Sequence, residues 1–212
     1  MYIAIEGVIG VGKTSLARLL QPAFQSDLLL EVFEENPFLS SFYSDRERYA
    51  FQTQIFFLLS RYHQQRHATQ QLAHQRSLIS DYTFDKDALF ASINLHGDEL
   101  EMYYRVHQAL AEKIIVTDLV VYLRADTEIL MQRIALRDRS YERQIEMGYI
   151  QQLNQAYDAF FAAPPANLQV LSIDTNPLNF VSRSEDLKWV ENRIRQALRL
   201  APFQEELPLL AR

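Results

Sequence analysis

The stretch Gly7–Thr14, GVIGVGKT, decides the reading of this chain. It fits the pattern GxxxxGKT. It follows the apolar run Tyr2–Glu6 (YIAIE) and precedes Leu16, Leu19 and Leu20 at helical spacing. A buried strand, a glycine loop and a helix in that order are the context that gives the pattern meaning. Gly7 and Gly12 permit a tight backbone curl, and Gly10 allows a close approach or an unusual dihedral. Successive N–H groups and the helix N-terminus then face a polyphosphate. Lys13 is expected to reach the β- and γ-phosphates, the Thr14 hydroxyl to ligate Mg²⁺, and Ser15 to belong to the nucleotide-binding set. The site implied is one for a nucleoside triphosphate such as ATP.

Composition supports this by exclusion. Only five glycines occur in 212 residues, so three of them within six positions is a concentration. The formal charge of -6 argues against a dedicated nucleic-acid surface. The absence of cysteine excludes disulfides and thiolate chemistry. No apolar run reaches membrane-spanning length, and the first residues read as a strand and not as a signal peptide. These features fit a cytoplasmic setting.

Outward from the loop, short apolar runs alternate with helical patterns. Strands are expected at 28–34 (LLLEVFE), 78–80, 119–123 (LVVYL) and 168–173 (LQVLSI). Helices are expected near 13–22, 47–73, 87–95, 99–113, from 127 through the arginines, at 149–161 and at 185–200. Five such strands separated by helices imply an α/β fold with a parallel sheet covered on both faces. One domain is expected over 1–200, with 201–212 as a tail that is either loose or docked.

Strand ends supply the candidate chemistry. Asp81 closes LISD and is a candidate to bind Mg²⁺ or to act near an attacking hydroxyl. Glu34 and Glu35 are expected at the end of the second strand, facing the same crevice as Lys13, where one could accept a hydroxyl proton. Periodicity does not choose between them. The run RIALRDRSYER places Arg133 and Arg137 on one helical face with Arg139 just beyond and Arg143 further on. Such a set suggests a lid that clamps phosphoryl oxygens and excludes water. Asp138, Glu142 and Glu146 also allow plain surface ion pairing for any one of these arginines. The five histidines show no companion metal-ligand pattern.

Taken together, MYIAIEGVIGVGKTSLA, ENPFLSSFYSDRERYAFQTQIFFLLSR, SLISDYTFDKDALFA and RIALRDRSYERQIEMGYIQQLNQAYDAFF resemble the deoxynucleoside kinase family, nearest its small bacterial deoxyadenosine/deoxyguanosine branch. The resemblance implies a P-loop kinase fold with strand order 2-3-1-4-5, an arginine-rich lid and a homodimer. It also implies transfer of the γ-phosphoryl group of ATP to the 5'-hydroxyl of a deoxynucleoside. By match to the family motifs, Glu35 in ENP holds and deprotonates that hydroxyl. Gln54 reads the base, and Tyr43 and Glu142 bind the sugar 3'-hydroxyl. Arg61 and Asp87 form a charged pair near the base, which favours a purine or cytosine. One departure stands out. Many eukaryotic relatives carry ERS at the end of the third strand, with an arginine after the carboxylate, whereas this chain has Asp81-Tyr82-Thr83. Arg76 or a lid arginine is left to supply that charge.

Two other functions fit parts of the pattern. A nucleoside monophosphate kinase of the thymidylate-kinase type shares the loop, and Arg46, Arg48 or Arg61 could then bind an acceptor phosphate. A non-catalytic nucleotide-binding regulator would keep the loop without the transfer machinery.

Overall fold

The computed structural model describes residues 1–73 and 77–201. Arg76 and the expected tail beyond residue 201 lie outside the described residues. The core is a five-stranded, all-parallel sheet in the order β2-β3-β1-β4-β5, as the family resemblance implies. Its strands are β1 (Tyr2–Glu6), β2 (Ser26–Leu29), β3 (Ser77–Ser80), β4 (Leu119–Arg124) and β5 (Val170–Asp174). β1, β3 and β4 are apolar and almost wholly buried, because helices cover the sheet on both sides.

Eight helices complete the described chain: α1 (Lys13–Phe24), α2 (Leu39–Ser44), α3 (Arg46–Ala73), α4 (Asp85–Asn94), α5 (Gly97–Ala111), α6 (Thr127–Arg137), α7 (Met147–Ala162) and α8 (Ser184–Ala197). Right-handed crossovers dictate their sides. α1, which leads from β1 out to β2, packs against α8, whereas α3, α4 and α5 pack together and α4 also meets α7. Among the described residues no helix is long and apolar enough to cross a membrane.

The second strand differs from its sequence expectation. Ladder pairing stops at Leu29↔Ser80, because β2 is an edge strand whose single neighbour, β3, has only four residues. Without a partner the chain leaves the sheet. Residues 33–35 form a single 3₁₀ turn where an extended run to Glu34 was expected. This displacement matters for the site, because it changes which carboxylate faces the cleft.

Candidate active site

The phosphate end is built from backbone. Gly7, Gly10 and Gly12 all have positive φ, and at the first two a side chain is excluded by contact as well. A Cβ on Gly7 would lie 2.4 Å from the Leu123 carbonyl oxygen, and one on Gly10 would lie 2.9 Å from that of Leu130. The loop is therefore pressed against the end of β4 and the flank of α6. α1 starts directly from Gly12, which leaves its first N–H groups facing the loop. Lys13 folds over the loop, and its Nζ donates to the carbonyls of Gly7 at 2.8 Å and Val8 at 3.1 Å. Burial pushes this ammonium down to about 8, and the nearby Lys86 pushes the same way against Glu6, Glu31 and Asp81.

Asp81, at the C-terminal end of β3, joins this loop to the segment after β2. Its Oδ2 accepts the Thr14 hydroxyl at 2.5 Å, and its Oδ1 accepts the Glu31 N–H at 2.8 Å. Thr14 and Asp81 thus present two hard oxygen donors at the mouth of the loop. That fits Mg²⁺, which commonly takes one or two protein oxygens and fills its shell with phosphate and water. Glu6, in contrast, is consumed structurally. It is buried and accepts from Gly7 N–H, Thr83 N–H and hydroxyl, and the Tyr157 hydroxyl.

Beyond the loop lies a cleft lined by Lys13, Thr14 and Asp81 at one end and by Tyr43, Gln54, Arg61 and Glu142 at the other. Phe33, Phe57 and Phe90 provide apolar walls of the kind a planar ring can stack on. Gln54 is buried on α3, so an amide with both a donor and an acceptor faces the aromatic slot. Burial, reinforced by Tyr149, Glu142 and neighbouring groups, holds the Tyr43 hydroxyl well above its ordinary value, so it stays protonated.

The carboxylate at the centre of the cleft is Glu31. It receives Arg61 and Lys86, the latter through a 2.6 Å bond from Nζ to Oε2. Burial alone would raise its pKa, but the two cations outweigh burial and hold it far below the usual carboxylate range. Glu35 and Glu34 do not line the cleft, and both are exposed on the 3₁₀ turn. The cause is local. Buried Asn36 donates to the Thr53 carbonyl at 3.2 Å and accepts the Phe38 N–H at 3.0 Å, while Phe33 turns into the cleft. The acids between them face outward. The acid of this segment that lines the cleft is therefore Glu31, four residues before Glu35. Its signal in the sequence is a lone charge inside the apolar run LLLEVF.

The remaining expected residues divide. Arg137 and Arg139 line the cleft, and Arg139 lies 4.1 Å above the Phe33 ring. Arg137 grips Glu142 with bonds of 2.6 and 2.7 Å, so the expected sugar-binding acid is also the anchor of the lid. Tyr141 stacks on Tyr43, which closes the same corner. Arg133 instead donates to the Thr175 carbonyl at 2.8 Å and its hydroxyl at 3.0 Å, on the β5 side of the loop. Arg143 pairs with Asp138 at the surface, which is the plain ion pairing that the sequence allowed. Ser15 is exposed outside the cleft. Asp87 is fully buried and pairs with Arg61, while only Arg61 reaches the cleft. Lys86, Phe33, Phe57, Phe90 and Tyr141 were not anticipated from the sequence.

The comparisons with known proteins bear on the family and the fold. Residues 3–199 match the family described as deoxynucleoside kinase. A deoxyguanosine kinase of Bacillus subtilis is 32% identical over 202 residues, covering 93% of this chain and 97% of the relative. A deoxyadenosine kinase of Dictyostelium discoideum is 33% identical over 179 residues, covering 82% and 71%. A deoxyadenosine kinase from M. mycoides, solved with dCMP and dCDP, superposes with a TM-score of 0.81 at 25% identity. That match covers 92% of this chain and all of the other.

Proposed function

The chain belongs to the deoxynucleoside kinase family, and from that membership we propose how its cleft transfers the γ-phosphoryl group of ATP to the 5'-hydroxyl of a purine deoxynucleoside. The carrying observation is that a phosphate loop and a buried carboxylate, Glu31, open into one cleft whose far end holds Gln54 between aromatic walls. The monophosphate-kinase alternative is not favoured. Arg61 is already committed to Glu31 and Asp87, and Arg46 is engaged with Glu146 at the surface.

In this reading the loop N–H groups, the start of α1 and Lys13 hold the donor phosphates, with Arg137 and Arg139 closing over them. Thr14 and Asp81 would hold Mg²⁺, which when bound neutralises phosphate charge. Tyr43 and Glu142 meet the sugar. Arg61, Gln54 and the aromatic walls meet the base, where the amide offers purine edges both donor and acceptor. Glu31 accepts the hydrogen bond of the 5'-hydroxyl. As the oxygen forms its bond to the γ-phosphorus, the β,γ-bridging bond breaks with its electron pair going to ADP, and the proton passes to Glu31. A fixed acceptor aligned with a loosely bonded phosphoryl group matters more here than a strong base, because such transition states demand little proton transfer. We read residues 1–200 as a single domain in a cytoplasmic setting, which the composition fits, and the working assembly as a homodimer, as the family resemblance implies.

The experiment is a transfer assay with labelled ATP and Mg²⁺ against deoxyadenosine, deoxyguanosine, deoxycytidine, thymidine and their 5'-monophosphates. Formation of 5'-monophosphates, fastest from a purine deoxynucleoside, is expected. Phosphorylation of the monophosphates alone would overturn the reading.

A further inference from the structure

The chain lacks the arginine that many eukaryotic relatives carry after the third-strand carboxylate, and the structure supplies a cation from elsewhere. Tyr82 contributes nothing to the cleft. It is fully buried, and its hydroxyl donates to Gln64 Oε1 at 2.7 Å. Arg61 is no free replacement, because Glu31 and Asp87 both occupy its guanidinium. The lid arginines are assigned to the donor phosphates in the reading above. Arg137 grips Glu142, and Arg139 lies over Phe33.

Lys86, on the first turn of α4, does reach the place. Only 7% of it is exposed, and it lines the cleft with Lys13, Thr14 and Asp81. Its one hydrogen bond among the described residues goes to Glu31, so two of its three N–H groups remain for an incoming anion. Lys13 lines the same cleft from the side of the phosphate loop. Two ammonium groups are thus held towards one volume. An anion entering between them relieves their repulsion.

We propose that Lys86 is a catalytic residue of this enzyme, binding the transferring phosphoryl group from the acceptor side. This rests on the transfer function above. In the resting protein its charge is shared with Glu31. When the γ-phosphoryl group lies between Lys13 and the 5'-oxygen, the ammonium bridges Glu31 and the equatorial phosphoryl oxygens. Lys86 makes and breaks no covalent bond. The role expected of a planar guanidinium on a strand end is carried by a point charge on a helix. A lysine is suited to that role where one oxygen has to be followed as charge shifts, whereas an arginine fork is suited to fixed bidentate geometry.

The test compares wild type, Lys86→Met, Lys86→Arg and Lys86→Ala as full-length proteins. It uses saturating ATP, the best deoxynucleoside and melting curves. Lys86→Met should lower kcat at least 100-fold while the KM for the deoxynucleoside changes less than threefold. Lys86→Arg should stay within tenfold of wild type. Small primary alkylammonium ions should restore Lys86→Ala at least tenfold and saturably, while tetramethylammonium should not. If Lys86→Met does not fold, the Arg variant and the amine rescue decide. A Lys86→Met kcat within threefold of wild type, a loss confined to KM, or failure of both Lys86→Arg and amine rescue would overturn the proposal. Binding of a bisubstrate analogue, adenosine joined to deoxyadenosine through phosphates, separates the two claims. Should wild type phosphorylate no deoxynucleoside, the transfer reading falls. Lys86 is then judged by whether Lys86→Met weakens the analogue at least tenfold, as expected, or less than threefold, which overturns its role.

Discussion

The two ends of the cleft are built in opposite ways. The proposed donor end is eight consecutive residues whose backbone does the work and in which Gly7 and Gly10 are fixed by contact with β4 and α6. The acceptor end is made of side chains from five separate places: Glu31 after β2, Tyr43 on α2, Gln54 and Arg61 on α3, Lys86 on α4, and Glu142 after α6. Its core is a buried charge cluster in which Glu31 and Asp87 face Arg61 and Lys86. A backbone site tolerates changes of side chain but not of Cβ. A charge-cluster site tolerates neither the loss of a partner nor a change of sign, because each buried charge depends on the others.

This contrast orders the expected effects. Lys13→Met, which removes the one side-chain charge of the loop itself, should lower kcat/KM for every acceptor by about 10²–10³, the scale seen when an aligned electrostatic contact is lost. Equal loss across all deoxynucleosides supports the division, and a loss for one base only would break it. Glu31→Gln should cost stability as well as activity, about 3 kcal/mol or more at pH 7, because two buried cations lose their shared partner. The sign with pH follows from its lowered pKa. Wild type gains from the ionised, paired carboxylate above the ordinary value of 4.5. That gain is lost as the pH falls through the depressed native value. The gap in melting temperature between wild type and Glu31→Gln should therefore be widest at pH 7 and narrow below about pH 4.5. Gly10→Ala should cost about 1–3 kcal/mol, since its φ is +88° and the new Cβ would sit 2.8 Å from Ile134 Cγ1. Phosphate affinity should fall with it, measured by ATP titration. The smallest effect belongs to Arg143→Ala. Its pair with Asp138 lies at the surface, so neither melting temperature nor kcat should change measurably.

The same contrast explains what could be read from the sequence. The loop was legible because all its information is contiguous, and Asp81 because it ends an apolar strand. Strand order, Gln54, Tyr43 and Glu142 came through family resemblance. Their spacing along the chain does not bring them together. Glu31 was missed for a non-local reason. β2 ends where β3 runs out of residues, a limit set elsewhere in the chain, so the apolar run by itself reads as a longer strand whose final acids face the cleft. Lys86, flanked by Asp85 and Asp87, looks like part of a solvated helix start. Only the fold turns it inward beneath Glu31.

The central claim is that Glu31, and not Glu35, is the acceptor carboxylate of a deoxynucleoside kinase. It is tested most directly by the kcat of Glu31→Gln against that of Glu35→Gln, measured for 5'-phosphorylation of one purine deoxynucleoside at saturating ATP. Glu31→Gln should lose about 10²–10⁴ in kcat, and Glu35→Gln should change less than threefold. Loss of activity in Glu35→Gln with Glu31→Gln near wild type would contradict it.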